Sequence, residues 1–298
     1  MRDEIRKIQE MMEAAEYVTD APVATSVHLA MRLRKPLLIE GPAGVGKTEV
    51  AKVMARMLRT NLIRLQCYEG LDASTALYEW NYQKQLLHIR LEEAGHNNRP
   101  MGEKEHEIFS EPFLLRRPLL QAITQQDQSP VLLVDEADRS DEEFEAFMLE
   151  VFSDWQVTIP EIGTIKATHP PHVIITSNRT RELSDALRRR CLYLWIEYPS
   201  LDKEMRIIGR KVPGIDTRLT REIAKFMETL RQVRLAKVPG VAEKLDWAQA
   251  LATLHADHLD EPLIAETLGC ILKDADDMKR FRAEVARTGL TPFLPVQS

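Results

Sequence analysis

Pro36-Leu37-Leu38-Ile39-Glu40 runs directly into Gly41-Pro42-Ala43-Gly44-Val45-Gly46-Lys47-Thr48, and this junction of an apolar run with a glycine-rich turn decides the fold. Four to five residues of this kind, flanked by turn formers, read as a strand buried on both faces. A helix from Lys47 to about Leu58 follows, and Asn61 to Gln66 reads as another strand. Strand, loop, helix and strand make a βαβ unit, which implies a parallel sheet with a right-handed crossover. The glycines let the backbone curl so that successive N–H groups point inward at phosphate oxygens. The following helix offers its positive N-terminal end to the same anion. Gly41, Pro42, Ala43, Gly44, Val45, Gly46, Lys47 and Thr48 are therefore the candidate nucleotide-binding residues, and they match the phosphate-loop pattern in full. In that pattern Lys47 reaches the β- and γ-phosphates and the Thr48 hydroxyl ligates Mg²⁺.

Working outward, Val131-Leu132-Leu133-Val134 is a buried strand that delivers Asp135 and Glu136 to its end. Asp135 is placed to hold Mg²⁺ through water, and Glu136 to polarise an attacking water as general base. The acids beyond them, Asp138, Asp141, Glu142 and Glu143, are expected at the N-terminus of a helix from Asp141 to Phe152. Val173 to Thr176 forms a further strand leading to Asn178. Ligands of parallel sheets sit at the strands' carboxyl ends, so Asn178 is either a γ-phosphate or water contact or an ordinary turn residue. Leu192 to Ile196 reads as the last strand. Between them Arg188-Arg189-Arg190 offers permanently charged guanidiniums, suited to a neighbouring subunit's phosphate or to a solvated basic patch.

The remaining chain is read by periodicity. The first thirty residues are expected to be helical, with a turn at Asp20-Ala21-Pro22 before a second short helix through Val27, Leu29, Ala30 and Leu33. Glu79 to Glu93 is expected to be a helix with Trp80, Leu86, Leu87 and Leu91 as its apolar positions, Gly95 to Gly102 a loop, and Phe113 to Ile123 a helix. Trp155–Pro160 and Thr164–Ala167 alternate around Gly163 as a hairpin does. Pro199 marks a change, and from Leu201 to Phe281 only helical patterns occur, broken at Pro213-Gly214, Pro239-Gly240 and Pro262. This places a boundary near residue 200, with an αβα core over 1–200 and a helical unit over 201–298.

A net charge of −6 argues against a dedicated nucleic-acid module. No apolar run approaches the roughly 20 residues of a membrane span. The N-terminus is charged rather than signal-like, and three scattered cysteines suit a reducing cytoplasm. His255 with His258, and His169 with His172, have no third ligand nearby in sequence, so no metal beyond Mg²⁺ is expected.

Taken together, these residues resemble the AAA+ ATPases and, within them, the MoxR-like family, over nearly the whole chain. In that resemblance Gly41–Thr48 is Walker A and Val131–Glu136 is Walker B. Asn178 matches sensor 1, and Arg188 or Arg190 matches the arginine finger. The hairpin around Gly163 resembles the insertion before sensor 1. Tyr68 to Asp72, continuing through Tyr78 to Tyr82, resembles the helix-2 insert of a MoxR-like branch that matures molybdenum–copper carbon monoxide dehydrogenase. The resemblance implies an ATP- and Mg²⁺-dependent hexameric ring, a partner with a von Willebrand factor A domain, and a metalloenzyme client such as carbon monoxide dehydrogenase. One departure stands out. The Pro-Arg of sensor 2 is missing from Pro239 to Trp247, where Lys244 is the candidate substitute. The alternatives are a DNA-directed motor, for which the hairpin offers Lys166 beside Glu161, and a nucleotide-switched scaffold that barely hydrolyses ATP.

Overall fold

The computed structural model describes residues 2–94 and 106–295, so the loop expected over Gly95 to Gly102 lies outside the described residues. Two helices, α1 (Arg2–Ala14) and α2 (Ala21–Leu33), precede β1 (Leu37–Glu40), whose four side chains are all buried. The glycine-rich turn follows, then α3 (Lys47–Leu58) and β2 (Leu62–Gln66). After an intervening segment the chain returns as β5 (Val131–Asp135), α7 (Glu142–Asp154), β8 (His172–Ser177), α8 (Asp185–Arg190) and β9 (Leu192–Trp195). The sheet is five-stranded, in the order β2-β5-β8-β1-β9, and every pairing is parallel. Successive strand residues face opposite sides. Leu37, Ile39, Leu133 and Ile174 therefore pack under α1, α2 and α3, while Leu38, Leu132, Val134 and Ile175 pack against Phe144 and Met148 of α7. The result is an αβα sandwich with its strand ends, and their polar residues, on one edge.

The intervening segment departs from its sequence reading. It contains α4 (Ala73–Leu77), β3 (Tyr78–Trp80), α5 (Tyr82–Ala94), β4 (Leu114–Arg116) and α6 (Pro118–Ile123). Trp80 is not on a helix. It lies in β3 opposite Leu114, and the helix begins only after Asn81, whose side chain accepts the Lys84 N–H at 3.0 Å. Leu86, Leu87 and Leu91 of α5 are 52%, 59% and 63% exposed, so they are a surface and not a core stripe. The expected helix from Phe113 is likewise shorter. Arg117 precedes a proline and is held extended, and Pro118 opens α6. The hairpin is present as β6 (Gln156–Ile159) and β7 (Gly163–Lys166).

From Leu201 onward the regular elements are helical: α9 (Leu201–Lys211), α10 (Thr217–Leu230), α11 (Val241–Thr253), α12 (Glu261–Thr267) and α13 (Ala275–Thr288). Pro262 opens α12 instead of breaking a helix. Phe226, Trp247, Phe281 and Phe293 pack together here, and the Trp247 indole N–H is satisfied by the Thr267 hydroxyl at 2.8 Å. This apolar cluster draws only on residues from Leu201 on. No described helix is long and apolar enough to cross a membrane.

Candidate nucleotide site

Three neighbouring strands, β5, β8 and β1, end around one cleft of about 420 Å³, lined among others by Tyr17, Val45, Lys47, Asn178, Ile196 and Leu245. Gly41 has φ 155° and lies so close to the Ile196 carbonyl that an added Cβ would sit 2.1 Å from its oxygen. Only glycine fits there. Lys47, 6% exposed, donates to the Gly41 and Pro42 carbonyls at 2.8 Å each and to Asn178 Oδ1 at 2.7 Å. Burial lowers its pKa, and the nearby Asp138, Asp135, Glu136 and Glu40 oppose that shift.

The two strand-end acids are held differently. Asp135 is 2% exposed; its Oδ1 accepts from the Thr48 hydroxyl at 3.0 Å and the Thr176 hydroxyl at 2.6 Å. Its Oδ2 accepts from Arg64 Nε at 3.0 Å and Nη2 at 2.5 Å. Glu136 has a left-handed backbone, φ 55°, a strain worth on the order of 1 kcal/mol for a side-chain-bearing residue. Its N–H is pinned to the Thr176 hydroxyl at 2.9 Å, and its carboxylate accepts from Gln66 at 3.1 Å, Arg139 at 3.2 Å and Asn178 at 3.5 Å.

Asn178 thus bridges Lys47 and Glu136. Asp138 explains why it stays there. That carboxylate is 3% exposed and accepts the Asn178 N–H at 3.2 Å, the Thr180 N–H at 2.8 Å and the Thr180 hydroxyl at 2.7 Å. It is therefore a clamp on the Asn178 loop, not a helix-terminus acid; Asp141 is the residue that caps α7. The arginines of α8 all have partners within the chain. Arg188 pairs with Glu40 at 3.1 Å, and Arg190 donates to the Leu149 carbonyl at 3.1 Å and the Ser153 hydroxyl at 3.0 Å. Arg189 is 83% exposed beside Asp185. Lys244 does not line the cleft. It is fully buried, 3.1 Å from Glu204 Oε1.

Arg64, Gln66 and Thr176 escaped the sequence reading. Their signal was present: Arg64 and Gln66 interrupt the apolar strand Leu62–Gln66 two residues apart, which puts both on one face. The residues present fit both a nucleotide and Mg²⁺. Lys47 sits buried in the curl of the glycine-rich loop at the start of α3, and Thr48 with Asp135 brings two hard oxygen donors together beside it.

Residues 36–191 match the AAA domain of the dynein-related subfamily. The chain belongs to this family. It is a nucleotide-binding AAA+ ATPase with the P-loop fold. Similar proteins include the gas vesicle ATPase GvpN of Haloferax mediterranei, 25% identical over 286 residues, covering 90% of this chain and 79% of the relative. The Holliday junction branch migration complex subunit RuvB of Thermotoga petrophila is 20% identical over 290 residues, covering 92% and 72%. A Thermotoga maritima RuvB mutant structure superposes with a TM-score of 0.50 at 17% identity, covering 96% of this chain and 76% of that one. At that identity it supports the fold of this AAA+ ATPase alone.

Proposed function

We propose that this ATPase is a ring-forming chaperone of the MoxR-like kind, which uses ATP hydrolysis to remodel a metalloenzyme client for cofactor maturation. The observation that carries its chemistry is the convergence of Lys47, Thr48, Asp135, Glu136 and Asn178 at three adjacent strand ends. Lys47 exchanges its loop carbonyls for phosphate oxygens. Thr48 and Asp135 hold Mg²⁺, which when bound supplies charge stabilisation at the phosphates. Glu136 orients the attacking water and takes its proton, and Asn178, tied to both Lys47 and Glu136, fixes their separation. Arg188 or Arg190 of a neighbouring subunit completes the site after leaving its in-chain partner.

We divide the chain into a core over 1–200 and a helical lid over 201–298, supported by the lid's separate apolar cluster. The hexameric ring, the cytoplasmic setting, the von Willebrand factor A partner and a client such as carbon monoxide dehydrogenase rest on the MoxR-like resemblance. The RuvB likeness favours a second reading as a DNA-directed motor. The net charge of −6, and a hairpin whose Lys166 is balanced by Glu161, weigh against it.

The deciding experiment measures ATP turnover and particle mass for the wild type and Glu136→Gln, with apo-metalloenzyme or branched DNA added. The variant retains ATP, assembles, and loses about 100-fold or more in turnover. Cofactor insertion into the client accelerates only with the wild type. Turnover stimulated by DNA, with no response from the client, would establish the second reading instead.

A further inference from the structure

Remote in sequence from the phosphate loop, α5 carries His88 and Glu92 one helical turn apart, on the same face. Glu107 approaches from the helical residues 106–108. One ligand atom from each of the three lies within 4.8 Å of the others, and among the described residues no other histidine, cysteine or carboxylate group of this kind occurs. The arrangement is braced. Gln85, one turn before His88, donates to the Ile108 carbonyl at 2.6 Å, and the His88 ring meets the Phe113 ring edge-on with centroids 5.3 Å apart. Lys84 is engaged elsewhere, donating to the Pro112 carbonyl at 2.9 Å.

An independent observation points to a ligand. His88 Nε2 is closed off from solvent and makes no hydrogen bond, although Glu107 Oε1 lies 3.4 Å away. A buried ring nitrogen without a partner is destabilising. The approach to Glu107 Oε1 falls outside hydrogen-bond geometry, and a cation between the two atoms would satisfy both.

We propose that His88, Glu92 and Glu107 bind a divalent transition metal, Zn²⁺ in preference to Mg²⁺ or Ca²⁺. An imidazole with two carboxylates matches the nitrogen and oxygen ligands Zn²⁺ takes, with a position left for water, whereas Mg²⁺ and Ca²⁺ select oxygen donors alone. The ion joins α5 to the helical residues 106–108 and so closes the chain between Glu92 and Glu107. Such a clip stabilises by removing loop-closure entropy from the unfolded chain. The site is separate from the nucleotide cleft, and its existence does not depend on the chaperone reading.

The test uses the full chain, stripped with chelator and saturated with Mg²⁺ and ADP, titrated calorimetrically with Zn²⁺. One Zn²⁺ binds per chain, and His88→Asn and Glu107→Gln each weaken it by about tenfold or more. Asp135→Asn leaves it unchanged. Circular dichroism establishes that each variant is folded. As a second readout, Co²⁺ in the wild type gives a visible absorption band that His88→Asn abolishes. Absence of Zn²⁺ binding at about 100 µM, well above the affinity expected of a specific site, overturns the proposal, as does equal affinity in the folded His88→Asn variant. Either result would reduce the cluster to a packing contact between α5 and the helical residues 106–108.

Discussion

Two groups of charged side chains, one around Lys47 and one around Glu204, are satisfied in opposite ways. Around Lys47 each functional group is hydrogen-bonded, the acids outnumber the lysine, and the group opens on a cleft. Around Glu204 one carboxylate is set between two cations, Arg231 at 2.7 Å and Lys244 at 3.1 Å, and the carboxylate and the lysine are buried. These are ion-pair distances, but Lys244 Nζ and both Glu204 oxygens lack hydrogen-bond geometry. Part of the excess positive charge is met by the face of Tyr198, 4.4 Å from the Arg231 guanidinium. The contrast separates two uses of buried charge. The first group is left to be completed by a ligand, while the second is completed as far as possible inside the chain, at a cost in stability.

The largest effect that could break this comparison is Lys47→Ala. Equilibrium binding of a fluorescent ATP analogue should weaken by about 100-fold or more, since the variant loses a charge-assisted phosphate contact in a partly desolvated site. Unchanged binding would mean that the cleft does not rely on the ligand to complete it.

Next comes Lys244. Burial first, set against Glu204, brings its pKa down from 10.5 to about 8. Below pH 8 it is charged in both folded and unfolded chains, and the folded chain bears the desolvation. Between about 8 and 10.5 the folded form has shed a proton that the unfolded form keeps, so its contribution to stability rises with pH. Urea unfolding at pH 7.5 and 9.5 should show wild type gaining on the order of 2 kcal/mol relative to Lys244→Met. Parallel profiles would show that the second group bears no excess charge.

The smallest effect belongs to Arg64→Ala. It frees Asp135 Oδ2 from a side chain that is 54% exposed, so the expected change is modest. The Mg²⁺ concentration giving half-maximal turnover should rise about fivefold, or ~1 kcal/mol, through lost orientation of the carboxylate. An unchanged Mg²⁺ dependence would show that Thr48 and Thr176 orient Asp135 unaided.

These groups also differ in how far the sequence exposed them. The phosphate loop and the ends of β5 and β8 were legible because four-residue apolar runs leave few alternatives, and a polar residue at such an end stands out. Asp138 was misread because an acid between Asp135 and Asp141 looks like part of one solvated run; only the turn geometry that aims it at the Asn178 and Thr180 N–H groups distinguishes it. Trp80 was misassigned because its spacing to Leu87 and Leu91 fits a helix, while its strand partner Leu114 is far along the chain. The surroundings of Lys244 were hidden for the same reason, since Glu204, Arg231 and Lys244 come from three separate parts of the helical region.

Gly44 and Gly240 meet backbone to backbone: a Cβ on Gly240 would fall 2.6 Å from Gly44 Cα, and the Val241 N–H donates to the Gly44 carbonyl at 2.7 Å. A joint with no side chain in it has no slack to take up. A displacement of the loop at Gly44 therefore bears directly on the first turn of α11, as in a gear cut with little backlash, and the length of α11 sets the leverage.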